Sequence, residues 1–179
     1  MRNSSFKKTT KYYHLNFDFQ THPLFRQLDW IYVQKKFQNV ISSFPVQVHS
    51  LIMMDTHIHI LISSEEKNEN FFCERFKSEM KSPGKNECFC EPITDYSQFL
   101  NTYKYLYRNS VEAGLSQTVE DYPYSSLRII LGRSVGYVQI DDPIGLIQNP
   151  IQTLNWLNSD CDFKISQLSF LRQDNSLSM

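Results

Sequence analysis

Two runs of β-branched and apolar residues, Val46 to Met54 and His57 to Ser63, are separated only by Asp55-Thr56. Residues of this kind suit a pleated, half-buried surface, and a short polar pair between them signals a tight turn, so the segment predicts an antiparallel hairpin. Side chains alternate along a strand, which puts Ile58, Ile60 and Ile62 on one face and sends His57 and His59 out of the other. A chain built around this hairpin needs an apolar layer behind the isoleucines. It also carries two imidazoles a few ångströms apart on the opposite side.

The flanking sequence supplies the partners. Tyr12 to Phe19 alternates, with Tyr13, Leu15, Phe17 and Phe19 on one side and Tyr12, His14, Asn16 and Asp18 on the other, as a half-buried strand does. After a break at His22-Pro23, Trp30, Val33, Phe37, Val40, Ile41 and Phe44 recur at helical spacing up to Pro45, and that helix can reach back toward Pro23. Asn68 to Lys81 reads as a helix closed by Ser82-Pro83-Gly84, Glu87 to Ile93 as a short strand, and Thr94-Asp95 as the cap of a helix running to about Ser110 or Val111 with Gly114 just beyond. The order strand, helix, strand, strand, helix, strand, helix describes an α+β fold. It predicts a ferredoxin-like antiparallel sheet with helices on one face and an active site on the open side. The domain is expected over residues 11–132, and 133–179 as a C-terminal extension packed on it or trailing from it.

A length of 179 residues suits one domain, and 41% hydrophobic against 21% charged residues excludes a disordered or low-complexity chain. No run approaches the roughly 18 to 20 apolar residues that a membrane span needs, and Met1 to Thr10 lacks the apolar centre of a secretory leader. Four cysteines (Cys73, Cys88, Cys90, Cys161) without repeated CxxC pairs suit a reducing compartment, so a cytoplasmic location is expected. Cys88 and Cys90 share a strand face and could contribute to a zinc site. The net charge of −1 hides an asymmetry: residues 1–109 hold 14 Lys and Arg against 11 Asp and Glu, whereas residues 110–179 hold 4 against 8. Any contact with a polyanion therefore belongs to the first part.

Paired histidines on a strand are a common surface pattern, and the helix after Thr94 is what adds chemistry. At 100° per residue, Phe99, Leu100, Tyr103, Leu106 and Tyr107 form one apolar stripe, while Asn101, Lys104, Tyr105, Arg108 and Asn109 fall opposite. Tyr105 is the tyrosine outside the stripe, and Asn109 lies one turn further on the same face. A metal held by His57, His59 and Asn109 would polarise a phosphodiester, and Tyr105 could attack its phosphorus. An ordinary phenol, with a pKa near about 10, needs activation for that task.

These residues, in this order, resemble the single-tyrosine HUH transposases, specifically the REP-associated tyrosine transposase branch. The similarity rests on Val48 to Ile62, with its His57-Ile58-His59 strand; on Tyr105 to Leu115; on Glu120 to Ser126; and on Tyr12-Tyr13-His14-Leu15 at the first strand. It extends over roughly residues 11–132. The resemblance implies His57, His59 and Asn109 as ligands of Mg²⁺ or Mn²⁺ and Tyr105 as nucleophile. It implies cleavage and rejoining of single-stranded or hairpin DNA through a 5′-phosphotyrosine. Relatives include monomers and dimers that exchange the tyrosine helix, so a homodimer is compatible. Asp55-Thr56, Ser110 and Tyr124 depart from the usual pattern, and the stretch from Lys81 to Ile93 is shorter than in relatives.

Lys104, Arg108, Lys7, Lys8 and Lys11 are the expected phosphate contacts, and Tyr12 and His14 the candidates for contacts to splayed bases. A former transposase retained as a nucleic-acid-binding or regulatory protein is the alternative. A phosphoesterase with paired HxT or HxS motifs would need a second motif, and none is present.

Overall fold

A computed structural model of the chain describes residues 10–18, 29–66, 68–80 and 87–159. Its first elements are β1 (Lys11–Asp18), α1 (Trp30–Ile41), β2 (Val46–Met53), β3 (His57–Ser64), α2 (Glu69–Met80), β4 (Glu87–Ile93) and α3 (Tyr96–Glu112). Two short helices follow, α4 (Leu127–Ile130) and α5 (Pro150–Asn158). The strands form one antiparallel sheet in the order β2-β3-β1-β4. Both split βαβ crossovers are thus present, and the α+β, ferredoxin-like class stands. Phe19, the His22-Pro23 break, Lys7, Lys8 and Cys161 lie outside the described residues.

Local chemistry sets the element ends. Asp29 caps α1 by accepting from the Ile31 amide at 2.9 Å, so α1 begins at Trp30. Asp95 caps α3 in the same way through Gln98, also at 2.9 Å. At the far end of α3, Gly114 takes φ +69° while the Gly114 and Leu115 amides bond back to Val111 and Ser110. That closure needs the left-handed conformation which glycine adopts without a Cβ penalty.

Alternation divides the buried residues into two layers. Leu15, Phe17, Ile58, Ile60 and Ile62 pack with Val33 and Phe37 of α1 and Phe72 and Phe76 of α2. Tyr12, Ile52 and Leu61 point the other way, against Phe99, Leu100, Tyr103, Leu106 and Tyr107 of α3 and Trp156 and Leu157 of α5. The expectation of helices on one face alone is therefore amended. Five large apolar side chains on one stripe of α3 need burial, and the face of the sheet that α1 and α2 leave uncovered takes them. Its open part is reduced to a cleft beside the middle of α3, at Asn101, Thr102 and Tyr105.

The hairpin contains a bulge between Val48 and Ser50. Val48 faces the first layer, yet so do Leu51 and Met53, because the extra residue switches the alternation from even to odd positions. The residue displaced is His49. Its Nε2 lies 2.8 Å from Ser63 Oγ and its Nδ1 3.3 Å from Asp141 Oδ2, the latter without hydrogen-bond alignment. Nearby, the Asp141 amide donates to Val48 O at 2.7 Å, and Ser126 N, Tyr122 Oη and Met53 N complete a cover along the outer edge of β2. Val138 of the segment beyond residue 132 packs in the first layer and Trp156 and Leu157 in the second, while Tyr122, Tyr124, Ser126 and Asp141 protect an edge that would otherwise be free to pair.

His49 holds the Asp141 carboxyl below its ordinary range, with burial opposing the shift. A carboxylate whose folded pKa is depressed stabilises the fold above its unfolded value and loses that contribution as pH falls through the folded one. Asp141→Ala should cost no more than about 1 kcal/mol at pH 7, since it removes a partly exposed carboxylate 3.3 Å from the buried His49 ring. The difference from the parent chain in urea denaturation should shrink below roughly pH 4. An equal cost at both pH values would rule out the carboxylate as its source.

Candidate functional site

The cleft lies between the sheet and α3, has a volume of about 470 Å³, and is lined by His14, Asn16, His59, Phe89, Glu91, Asn101, Thr102 and Tyr105. β1, β3 and β4 supply the floor and α3 the wall. Register decides which polar residues meet there: Asn16 is paired with His59 and Asp18 with His57 across β1 and β3, while His14 is paired with Glu91 across β1 and β4.

Burial acts on the imidazoles first. It lowers the pKa of His57 and His14, against the raising influence of Asp18 and Asp55 on the former and Glu91 on the latter. His59 is pushed down to about 3 by burial, then by the neighbouring His57 and His14 rings. At neutral pH the three rings are therefore uncharged, the state in which imidazole nitrogen can bind a metal. The His57 and His59 ring centroids are 4.5 Å apart. His57 Nδ1 contacts Thr56 Oγ1 at 3.0 Å and His59 Nδ1 contacts His14 Nε2 at 3.1 Å, while His14 Nδ1 lies 3.7 Å from Glu91. Partners on the far ring nitrogen are what orient a metal-binding histidine.

Tyr105 is 47% exposed on α3, with its ring 5.8 Å from that of His59 and 6.3 Å from that of His14, both edge-on. Tyr103 and Tyr107 are fully buried in the stripe expected for them. The described structure thus unites Tyr105 with His59 and His14, with His57 beside His59. Neither His57 nor Asn109 is among the residues that line the cleft, and the Asn109 amide nitrogen donates to the Tyr105 carbonyl at 2.9 Å and contacts that of Leu106 at 3.5 Å.

The expected nucleic-acid contacts divide. Lys11 is exposed at the start of β1, and His14 lines the cleft. Tyr12 is buried against His49 and Phe99. Lys104 is buried, with Nζ 2.9 Å from Ser159 Oγ and near the Trp156 ring. The guanidinium of Arg108 donates to the Asn158 and Ser159 carbonyls at 2.9 and 2.8 Å. As placed, both cations brace the end of α5 rather than face the cleft. Helical position set them opposite the apolar stripe and could not show that a distant helix would cover them.

Asn16, Glu91, Asn101 and Thr102 are cleft residues that local pattern did not single out. Asn16 had one visible signal, its place beside His14 on the polar side of β1. Cys88 and Cys90 pack partly buried against the first apolar layer, and Cys73 is buried. Among the described residues no group of three or more His, Cys, Asp or Glu side chains is assembled to hold a metal ion. The donor set of the cleft, imidazole and amide, fits a divalent cation on one further observation: His59 Nε2 and Asn16 Oδ1 are buried without a hydrogen-bond partner among the described residues.

No protein-family model and no curated protein matches the chain. Among solved structures, a REP-associated tyrosine transposase bound to a REP hairpin is similar with a TM-score of 0.55 and 15% identity, covering 79% of this chain and 93% of that one. The likeness establishes a shared fold. No helix of the described residues is long and apolar enough to cross a membrane.

Proposed function

We propose that the protein is a metal-dependent, single-stranded DNA endonuclease and strand-transferase, transposase-like, with Tyr105 as nucleophile. The observation that carries the reading is the exposed Tyr105 phenol facing the neutral His59 imidazole across one open cleft. Its fold likeness to a transposase bound to a DNA hairpin supports DNA as the partner. His57 and His59 would hold a Mg²⁺ or Mn²⁺ ion, which supplies Lewis-acid polarisation of a phosphoryl oxygen when bound.

The chain's own residues do the rest. The rigid stripe of α3 fixes where Tyr105 projects. Its phenolic oxygen forms the bond to phosphorus as the bond to the 3′ oxygen breaks. The phenol loses a proton, the 3′ oxygen gains one, and the 5′ end stays on the protein. Reversal by another 3′-hydroxyl rejoins strands. Asn101 and Thr102, one turn before Tyr105 in the cleft wall, offer hydrogen bonds to the backbone of a strand lying there.

Incubating the protein with Mn²⁺ and a set of single-stranded and hairpin oligonucleotides should yield a DNA-protein adduct that survives denaturation. Mass analysis should place it on Tyr105, with release of a free 3′-hydroxyl. A second reading, nucleic-acid binding without cleavage, draws on the engagement of Lys104 and Arg108 by α5. Salt-sensitive DNA binding with no adduct across the set would favour it.

A further inference from the structure

We propose that Phe89 is the stacking platform for one unpaired nucleobase of a DNA strand in the cleft, and that Glu91 beside it favours a base with an exocyclic amino group; this rests on the single-stranded DNA reading above.

β4 is the edge strand of the sheet, paired with β1. Cys88 and Cys90 turn toward the first apolar layer, so alternation sends Glu87, Phe89 and Glu91 to the cleft side. Phe89 and Glu91 line the cleft together with Tyr105. Phe89 is 51% exposed there, and the Glu91 side chain 74%. Tyr12, the aromatic expected from sequence to meet splayed bases, is buried against Phe99. Phe89 takes its place as the ring open on the cleft floor.

Charge decides what can cover that ring. Among the described residues the cleft lining contains no lysine or arginine and one carboxylate, Glu91, whose Oε2 is 3.7 Å from His14 Nδ1. Glu87 is exposed further along the same strand face. Carboxylates on both flanks of Phe89 repel a phosphate from this part of the floor. A nucleobase is flat and uncharged, and it stacks on an aromatic side chain through its π-face. The base therefore sits on β4 while its phosphodiester lies toward Tyr105 on the α3 wall. A base inside a duplex is already stacked on both sides, so the occupant is an unpaired nucleotide of a single strand or a hairpin loop.

Glu91 then selects by the edge of the base. A carboxylate only accepts hydrogen bonds, and the N4 amino group of cytosine can donate to it. Thymine presents the O4 carbonyl at the same position, acceptor against acceptor. Cytosine should be preferred over thymine, although the two rings are of similar size.

The test is fluorescence anisotropy of the full chain with labelled oligo(dC) and oligo(dT) in EDTA, alongside the Mn²⁺ adduct assay. The parent chain should bind oligo(dC) about fivefold more tightly than oligo(dT). Phe89→Ala should weaken both roughly fivefold to a hundredfold, and Phe89→Leu, which keeps apolar bulk without a π-face, should do the same. Phe89→Trp should bind at least as well as the parent. Its new indole should be quenched by oligo(dC) beyond any change in the parent chain, where Trp30 and Trp156 are buried. Glu91→Gln both donates and accepts, so it should level the two affinities. Parent-level binding by Phe89→Ala and Phe89→Leu, with an adduct still on Tyr105, would overturn the stacking role and leave the endonuclease reading standing. Equal affinity of the parent chain for the two oligonucleotides would overturn the role of Glu91. Quenching in Phe89→Trp with no adduct across the oligonucleotide set would support the stacking site and overturn cleavage. No binding of either oligonucleotide by the parent chain would overturn both.

Discussion

Tyr105→Phe should remove covalent attachment to DNA altogether and lower strand cleavage by on the order of a thousandfold or more, as loss of a nucleophile does. Three tyrosines occupy one turn and a half of α3, and only their environments separate them. Tyr103 is fully buried, and burial raises its phenol far above the usual range. Tyr107 is 1% exposed, pushed up to about 12 by burial, with its hydroxyl 3.1 Å from Ser126 Oγ. Neither oxygen can meet a phosphodiester without unpacking the helix. Tyr105 breaks the stripe and stands in the cleft wall. Tyr107→Phe gives the contrast: it should cost about 1 kcal/mol of stability through the lost hydrogen bond while the adduct still forms on Tyr105. Labelled DNA retained on Tyr105→Phe at the parent level would end the assignment of this residue as nucleophile.

What could be read before the structure follows the range of the interactions involved. Hairpin, strand alternation and the α3 stripe depend on residues within two turns or one strand, and their ends agree closely: Glu87–Ile93 is the expected strand, and Asp95 caps the expected helix. The separation of Tyr105 from Tyr103 and Tyr107 was legible for the same reason, since 100° per residue is a local rule. The pairing of Asn16 with His59 was not, because strand register is settled by contacts across some forty residues. Nor was the bulge at His49, which inverts the alternation halfway along β2 and has no signature in composition. Lys104 shows the remaining gap. Its helical position suggests solvent, but α5, more than forty residues later, supplies Ser159 and Trp156 to cover it.

The largest stability effect belongs to the aromatic layer behind the cleft. Phe37 of α1 is fully buried, with its ring edge-on to Phe72 at 5.4 Å and to Phe76 at 5.2 Å, and Phe76 in turn meets Phe17 of β1 at 4.7 Å. Phe37→Ala deletes the ring that joins α1 to α2 and leaves a cavity the rigid sheet cannot close. The expected cost is about 3 to 5 kcal/mol, a large share of the roughly 5 to 15 kcal/mol typical of a whole domain. Phe37→Leu refills most of the volume and should recover more than half of that loss. The cleft residues lie on the opposite side of β1 and β3, so the Mn²⁺ affinity of the molecules that remain folded should be close to the parent value. Urea denaturation followed by tryptophan fluorescence gives the stability, and calorimetry at low denaturant gives the affinity. A cost under about 1 kcal/mol would mean that α1 and α2 are not clasped through this ring. A collapse of affinity in the folded fraction would mean that the two faces of the sheet are coupled, and that the geometry of Asn16 and His59 depends on the packing beneath them.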